Sequence, residues 1–234
     1  MRKLGNFIAI ILFTMASAGL SQAAGERLLE YDWLISGEPS GQQSSYYGKD
    51  GTITITFSFN DRGRGPQTRT IVRLNEAGVP VALYIKGKNY EQAEVDERFS
   101  IIYGKAVWAS KIEHQQANFG GQAFYVANNA PPELLAILAR AILARNDRTL
   151  PLLPTGTARI RSLTSETLEG EKGSTTITLY AITGLGSDAK YIWLDQDHDL
   201  FAGDDERFAI IRKGWSAHLP VLKAAQTKAR DARD

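Results

Sequence analysis

Thr52-Ile53-Thr54-Ile55-Thr56-Phe57-Ser58-Phe59 alternates polar and apolar side chains without a break. A period of two sorts such a segment into one wet and one dry face, which is the signature of a half-buried β-strand. Lys49-Asp50-Gly51 supplies a turn before it, and Asp61-Arg62-Gly63-Arg64-Gly65-Pro66 interrupts the pattern after it. Further strand candidates are 28–35, 68–74, 81–86, 99–103, 106–112, 123–127, 158–163, 175–183, 191–194 and 208–212. Roughly ten short strands joined by local turns predict antiparallel pairing rather than βαβ units.

One internal helix interrupts the strands, over 131–145. Pro131 and Pro132 suit a first turn, Glu133 complements the positive N-terminal end, and Arg140 and Arg145 lie towards the other end. Leu134, Leu135, Ile137, Leu138, Ala141 and Ile142 form a broad apolar stripe that needs a surface to cover. A second helix is expected from Pro220, turning polar towards the C-terminus. The predicted fold is therefore mainly β (α+β): a curved antiparallel sheet or half-barrel of about ten strands wrapped around one apolar helix, with a C-terminal helix. The heptapeptide 96–102 is nearly repeated at 205–211, and two similar strand starts explain that better than a duplication of irregular period.

Residues 1–23 read as a secretory signal peptide. Arg2 and Lys3 precede an apolar run from Phe7 to Leu20, and Ser21 and Ala23 place small residues before a cut after Ala23. The expected organisation is a signal over 1–23, a β-rich domain over 24–219 and a C-terminal helix or linker over 220–234, with the protein periplasmic or secreted. The chain contains no cysteine, so disulfides and thiolate chemistry are excluded. Cleavage removes two cations and no acid, taking the formal net charge from +1 to −1. That balance disfavours nucleic acid as a partner, and beyond the signal no apolar run approaches the ~20 residues of a membrane span.

No strong catalytic motif follows the signal. His114, His198 and His218 form no metal-ligand pattern, and there is no Gly-x-Ser-x-Gly elbow. No catalytic residue and no cofactor is assigned. Asp195, Asp197, Asp199 and Glu206 occupy positions one, three, five and twelve of a calcium-loop template, but Leu200 stands where the loop requires glycine. An acidic hairpin tip is the better reading. Arg62 and Arg64 are candidate anion-binding groups on a glycine-rich connection. Tyr84 and Tyr125 belong to a set of aromatics able to line a cavity, and Leu138 is the candidate contact on the helix.

Several segments carry a family resemblance. These are Tyr31-Asp32-Trp33-Leu34-Ile35, Phe59-Asn60-Asp61-Arg62-Gly63-Arg64-Gly65-Pro66, Val95-Asp96-Glu97-Arg98-Phe99, Phe124-Tyr125-Val126, Leu150-Pro151-Leu152-Leu153-Pro154 with Gly156 and Arg159, and Trp193-Leu194-Asp195. Together they resemble the N-terminal β-rich region of exported metal-dependent amidohydrolases of the imidazolonepropionase-like group. In that family a catalytic barrel follows and carries the metal-binding histidines, a motif missing from this sequence. The resemblance implies a non-catalytic accessory module partnered by a separately encoded amidohydrolase domain. The residues themselves suggest an alternative, a carrier or sensor that binds an apolar small molecule between the curved sheet and helix 131–145.

Overall fold

The computed structural model describes residues 26–171, 173–205 and 207–232. The signal-peptide expectation therefore lies outside the described residues, as does Glu206. The first half of the chain forms β1 (Arg27–Ile35), β2 (Glu38–Tyr47), β3 (Thr52–Phe59), β4 (Gln67–Leu74), β5 (Pro80–Lys88), β6 (Glu94–Ile102), β7 (Lys105–Ala109) and β8 (His114–Asn118). A short β9 (Phe124–Tyr125) leads into helix α1 (Pro132–Leu143). The second half forms β10 (Thr149–Leu153), β11 (Thr157–Gly170), β12 (Gly173–Thr183), β13 (Lys190–Leu194), β14 (Leu200–Asp204) and β15 (Phe208–Arg212), then helix α2 (Leu219–Asp231).

All the strands belong to one open, curved sheet, ordered β8-β7-β6-β5-β4-β3-β2-β1-β15-β14-β13-β12-β11-β10-β9. Two meanders are thus joined where the first strand pairs with the last, with Trp33 opposite Ile210. Every pairing is antiparallel except β9 on β10. Mainly β with two helices, the second C-terminal, is as expected. The strand count is a correction: fifteen among the described residues, not about ten.

The four unexpected strands escape alternation for different reasons. β2 (Glu-Pro-Ser-Gly-Gln-Gln-Ser-Ser-Tyr-Tyr) and β8 (His-Gln-Gln-Ala-Asn) lack an apolar face, β10 carries Pro151, and β14 was hidden beside the acidic tip. β2 nevertheless buries Gln43 and Ser45, because both its neighbours complete its backbone ladder. The near-repeat is local likeness only: Asp96–Ile102 lies wholly within β6, whereas Asp205 precedes β15 and bonds the turn.

α1 lies in the larger core. Leu134, Ala136, Ile137, Leu138, Ala139, Ala141 and Ile142 are buried together with Ile55, Val72, Ile85 and Phe99 from one meander and Leu150, Ile160 and Ile192 from the other. A helix buried nearly all round has to be apolar nearly all round, and this one is. α2 covers the opposite face of β11–β15, where Leu219 and Leu222 share a core with Leu168, Trp193, Phe201 and Ile211. Along β15 the sides alternate: Ala209 and Ile211 face α2 while Ile210 enters the α1 core. Coverage on both faces explains why β13 and β15 read as continuous apolar runs. Among the described residues no helix is long and apolar enough to cross a membrane.

Candidate functional site

A cavity of about 810 Å³ opens at one end of the sheet, between an aromatic wall and the N-terminal half of α1. The wall comes from three strands that the β1–β15 pairing brings together. Trp33 stacks on Phe59 with ring centroids 4.8 Å apart and planes within 10°, and meets Phe57 edge-on at 5.0 Å. Phe208 of β15 closes the group, 5.6 Å from Phe59 and 5.8 Å from Trp33.

The stacking depends on a missing side chain. In the ladder Trp33 lies opposite Gly41, which lies opposite Phe59. A Cβ at Gly41 would sit 2.3 Å from the Phe59 Cβ, so only glycine lets the two rings close over β2. The indole N–H of Trp33 is buried with no partner among the described residues, leaving a hydrogen-bond donor in this wall. Facing the wall are Tyr125, Ala130, Leu134, Leu135 and Leu138, and Leu185 and Tyr191 contribute a third side. Size and lining are those of a small-molecule site, which typically spans ~300–1,000 Å³.

The connection between β3 and β4 forms part of the rim. Asp61 and Arg64 exchange backbone hydrogen bonds at 2.7 and 3.1 Å, and the Asn60 side chain accepts from the Gly63 N–H at 2.8 Å. Gly65 (φ +123°) passes so close to β3 that a Cβ would lie 2.2 Å from the Phe59 carbonyl oxygen. The buried Asp61 carboxylate accepts from the Tyr90 hydroxyl at 2.5 Å and from Arg207 at 2.6 Å. The Tyr90 hydrogen bond, aided by Arg207, holds the Asp61 carboxyl below its ordinary value even though partial burial acts in the other direction.

A folded-state value below the unfolded one means that Asp61 stabilises the rim fully above the ordinary aspartate range, near pH 4. That contribution is lost as pH falls through the lowered value. Side-chain NMR should therefore show Tyr90 and Arg207 released from Asp61 only below about pH 4, and Asp61→Asn should abolish that titration. Release at neutral pH in the parent would show that the clamp does not hold.

Three buried carboxylates secure the helix beside the cavity. Glu133, fully buried in the first turn of α1, accepts from Ser45 at 2.9 Å, from Tyr31 at 3.4 Å, from the Tyr47 hydroxyl and from Arg140 at 3.4 Å. Arg140, two turns along α1, also donates to Tyr47 at 2.6 Å and to Asp199 at 3.0 Å, and Asp199 takes a second guanidinium from Arg27. Glu97 accepts from the Tyr125 hydroxyl at 2.9 Å and from the backbone N–H of Asn128 and Asn129 at 2.8 and 3.1 Å, fixing the approach to α1. Burial, then the nearby Glu133, pushes the phenols of Tyr31 and Tyr47 up. Burial and Glu97 do the same for Tyr125. Burial also raises Asp199, against Arg140 and Arg27. With its carboxylates engaged by protein donors, this network positions α1.

Of the five residues singled out as ligand contacts, two line the cavity and two lie beside it without lining it. Tyr125 and Leu138 line the cavity, and Arg62 and Arg64 are exposed on the connection that carries its rim, Arg64 lying 5.2 Å from the ring centre of Tyr90. Tyr84 is elsewhere: its neighbours Leu83 and Ile85 point into the core, so Tyr84 takes the outer face, under Arg98 at 5.3 Å. The acidic segment is a turn held by arginines. Asp195 accepts from the N–H groups of Asp197 and Asp199 and pairs with Arg212 at 2.8 Å, which leaves a cation little to bind. Among the described residues no group of three or more His, Cys, Asp or Glu side chains converges as a metal site would require.

Sequence reasoning missed Trp33, Phe57, Phe59 and Phe208. A signal existed in aromatics ending β3 and opening β15 beside turns, but alternation alone assigns such residues to core.

No known family profile matches the chain, and no curated protein sequence matches it. Among solved structures it is similar to the crystal structure of a β-barrel-like protein of a domain of unknown function, DUF1849, from Brucella abortus. The TM-score is 0.49 and the identity 12%, over 80% of this chain and 94% of that one.

Proposed function

We propose that this chain is a non-catalytic binding protein, working in the periplasm after removal of residues 1–23, that carries or senses a small molecule with an apolar chain. The observation that supports this reading is the aromatic-walled cavity beside α1, with Trp33, Phe59 and Phe208 on one side and Leu134, Leu135 and Leu138 on the other. The sheet acts as an open half-barrel, and the helix fills most of it but leaves this end for a ligand.

Native mass spectrometry on protein purified gently from its own compartment tests the reading, because a bound apolar molecule adds mass that denaturation removes. A titration with linear alcohols gives the energetics. Each buried methylene contributes ~0.8 kcal/mol, so octanol, decanol and dodecanol should bind in steps of roughly tenfold. An affinity independent of chain length, or no binding at all, would end the proposal.

A second reading, a module that works beside a separately encoded amidohydrolase domain, rests on the segments that carry the family resemblance. They are spread through both meanders, from Tyr31–Ile35 in β1 to Trp193 and Leu194 in β13, so the resemblance concerns the domain as a whole. Co-purification with a histidine-rich barrel hydrolase and an empty cavity would favour it.

A further inference from the structure

Two arginines without an ion-pair partner among the described residues stand beside the cavity, Arg64 over the lining residue Tyr90, and from them we infer that the ligand is an amphipathic anion, with its apolar chain inside and its oxyanion head on Arg62 and Arg64. The inference rests on the proposed binding function and names the chemical class that the site selects.

Asp188, Asp204 and Asp205 line the mouth with Lys190 and Arg230, and each acid, like Asp61 behind the rim, accepts a hydrogen bond or meets a cation. Asp61 is taken by Arg207 and Tyr90. Asp204 lies 3.7 Å from the Lys223 ammonium. One oxygen of Asp205 accepts from the N–H groups of Arg207 and Phe208, and Asp188 accepts from the Ser187 hydroxyl at 3.1 Å. The cations on the β3–β4 connection are different. Arg62 and Arg64 are exposed, and among the described residues neither forms an ion pair, the neighbouring Asp61 being held by Arg207.

Their presentation is rigid. The backbone bonds between Asp61 and Arg64, the Gly65 N–H on the Tyr90 carbonyl at 2.9 Å and the Gln92 side chain on the Gly65 carbonyl at 2.6 Å tie the connection to the β5–β6 turn. Arg64 stacks on the Tyr90 ring, and Tyr90 itself lines the cavity. The position where an alkyl chain leaves the aromatic wall is therefore next to an arginine on a fixed frame. The planar donors of a guanidinium suit carboxylate and phosphate alike. Lys190, another lining residue, adds positive charge at the mouth.

The test compares four dodecyl probes by isothermal titration calorimetry at neutral pH and low salt: dodecanol, dodecanoate, dodecyl phosphate and dodecylammonium. At least one anion should bind about tenfold more tightly than dodecanol, and high salt should shrink that margin. The double variant Arg62→Gln/Arg64→Gln should lose the margin while binding dodecanol as the parent does, which also shows that its cavity is intact. A preference for dodecanoate indicates a free acyl acid and one for dodecyl phosphate a phosphorylated lipid; both support the inference. Equal affinity for anions and dodecanol, a preference for dodecylammonium, or an anion margin that survives in the double variant overturns it. If none of the four probes binds, the binding function itself has failed.

Discussion

Glu133→Ala is expected to destabilise the protein by about 3–5 kcal/mol, the cost of breaking a buried ion pair from one side. The substitution takes away the acceptor shared by Tyr31, Ser45, Tyr47 and Arg140, leaving their polar groups buried without it. For a domain of this size that corresponds to a fall in melting temperature of about 10 °C. It is a large share of a total stability that seldom exceeds ~15 kcal/mol. Guanidinium denaturation and thermal melts followed by circular dichroism measure it. Glu133→Gln keeps one acceptor oxygen and should lose clearly less. If the alanine variant loses under about 1 kcal/mol, a typical single neutral hydrogen bond, α1 is held by apolar packing and the network is incidental.

The largest effect on binding is expected from Ala130→Trp. Ala130 is exposed, lies two residues before α1 and lines the cavity, so an indole there fills the mouth without entering the core. Affinity for dodecanol should fall at least tenfold, a loss of about 1.4 kcal/mol or more. Stability should stay within about 0.5 kcal/mol, as for other surface substitutions. Calorimetry and a thermal melt on the same sample separate the two quantities. Unchanged affinity in a variant that melts like the parent would mean that the ligand does not use this cavity.

How much of this was legible beforehand follows from the range of the interactions concerned. Alternation from Thr52 to Phe59, the turn residues around it and the apolar stripe from Leu134 to Ile142 are local patterns. They determined by themselves that the chain is mainly β with one deeply buried helix, since a period of two or 3.6 shows within a dozen residues. Tyr125, Leu138, Arg62 and Arg64 were also recognisable as candidates, each from its own neighbourhood.

Tertiary structure alone decided what these pieces make. Pairing of β1 with β15 sets residues as far apart as Tyr31 and Arg212 side by side, and without it Trp33, Phe59 and Phe208 would share no wall. Gly41 became meaningful only once the register placed it between two aromatic rings. β2 became a strand although it has no apolar face, because β1 and β3 complete its ladders and its inward Ser45 finds Glu133 on α1, 88 positions away. Period and propensity are properties of a segment, whereas register, the burial of charge and the walls of a cavity belong to pairs of segments. Sequence order does not encode which pairs will meet.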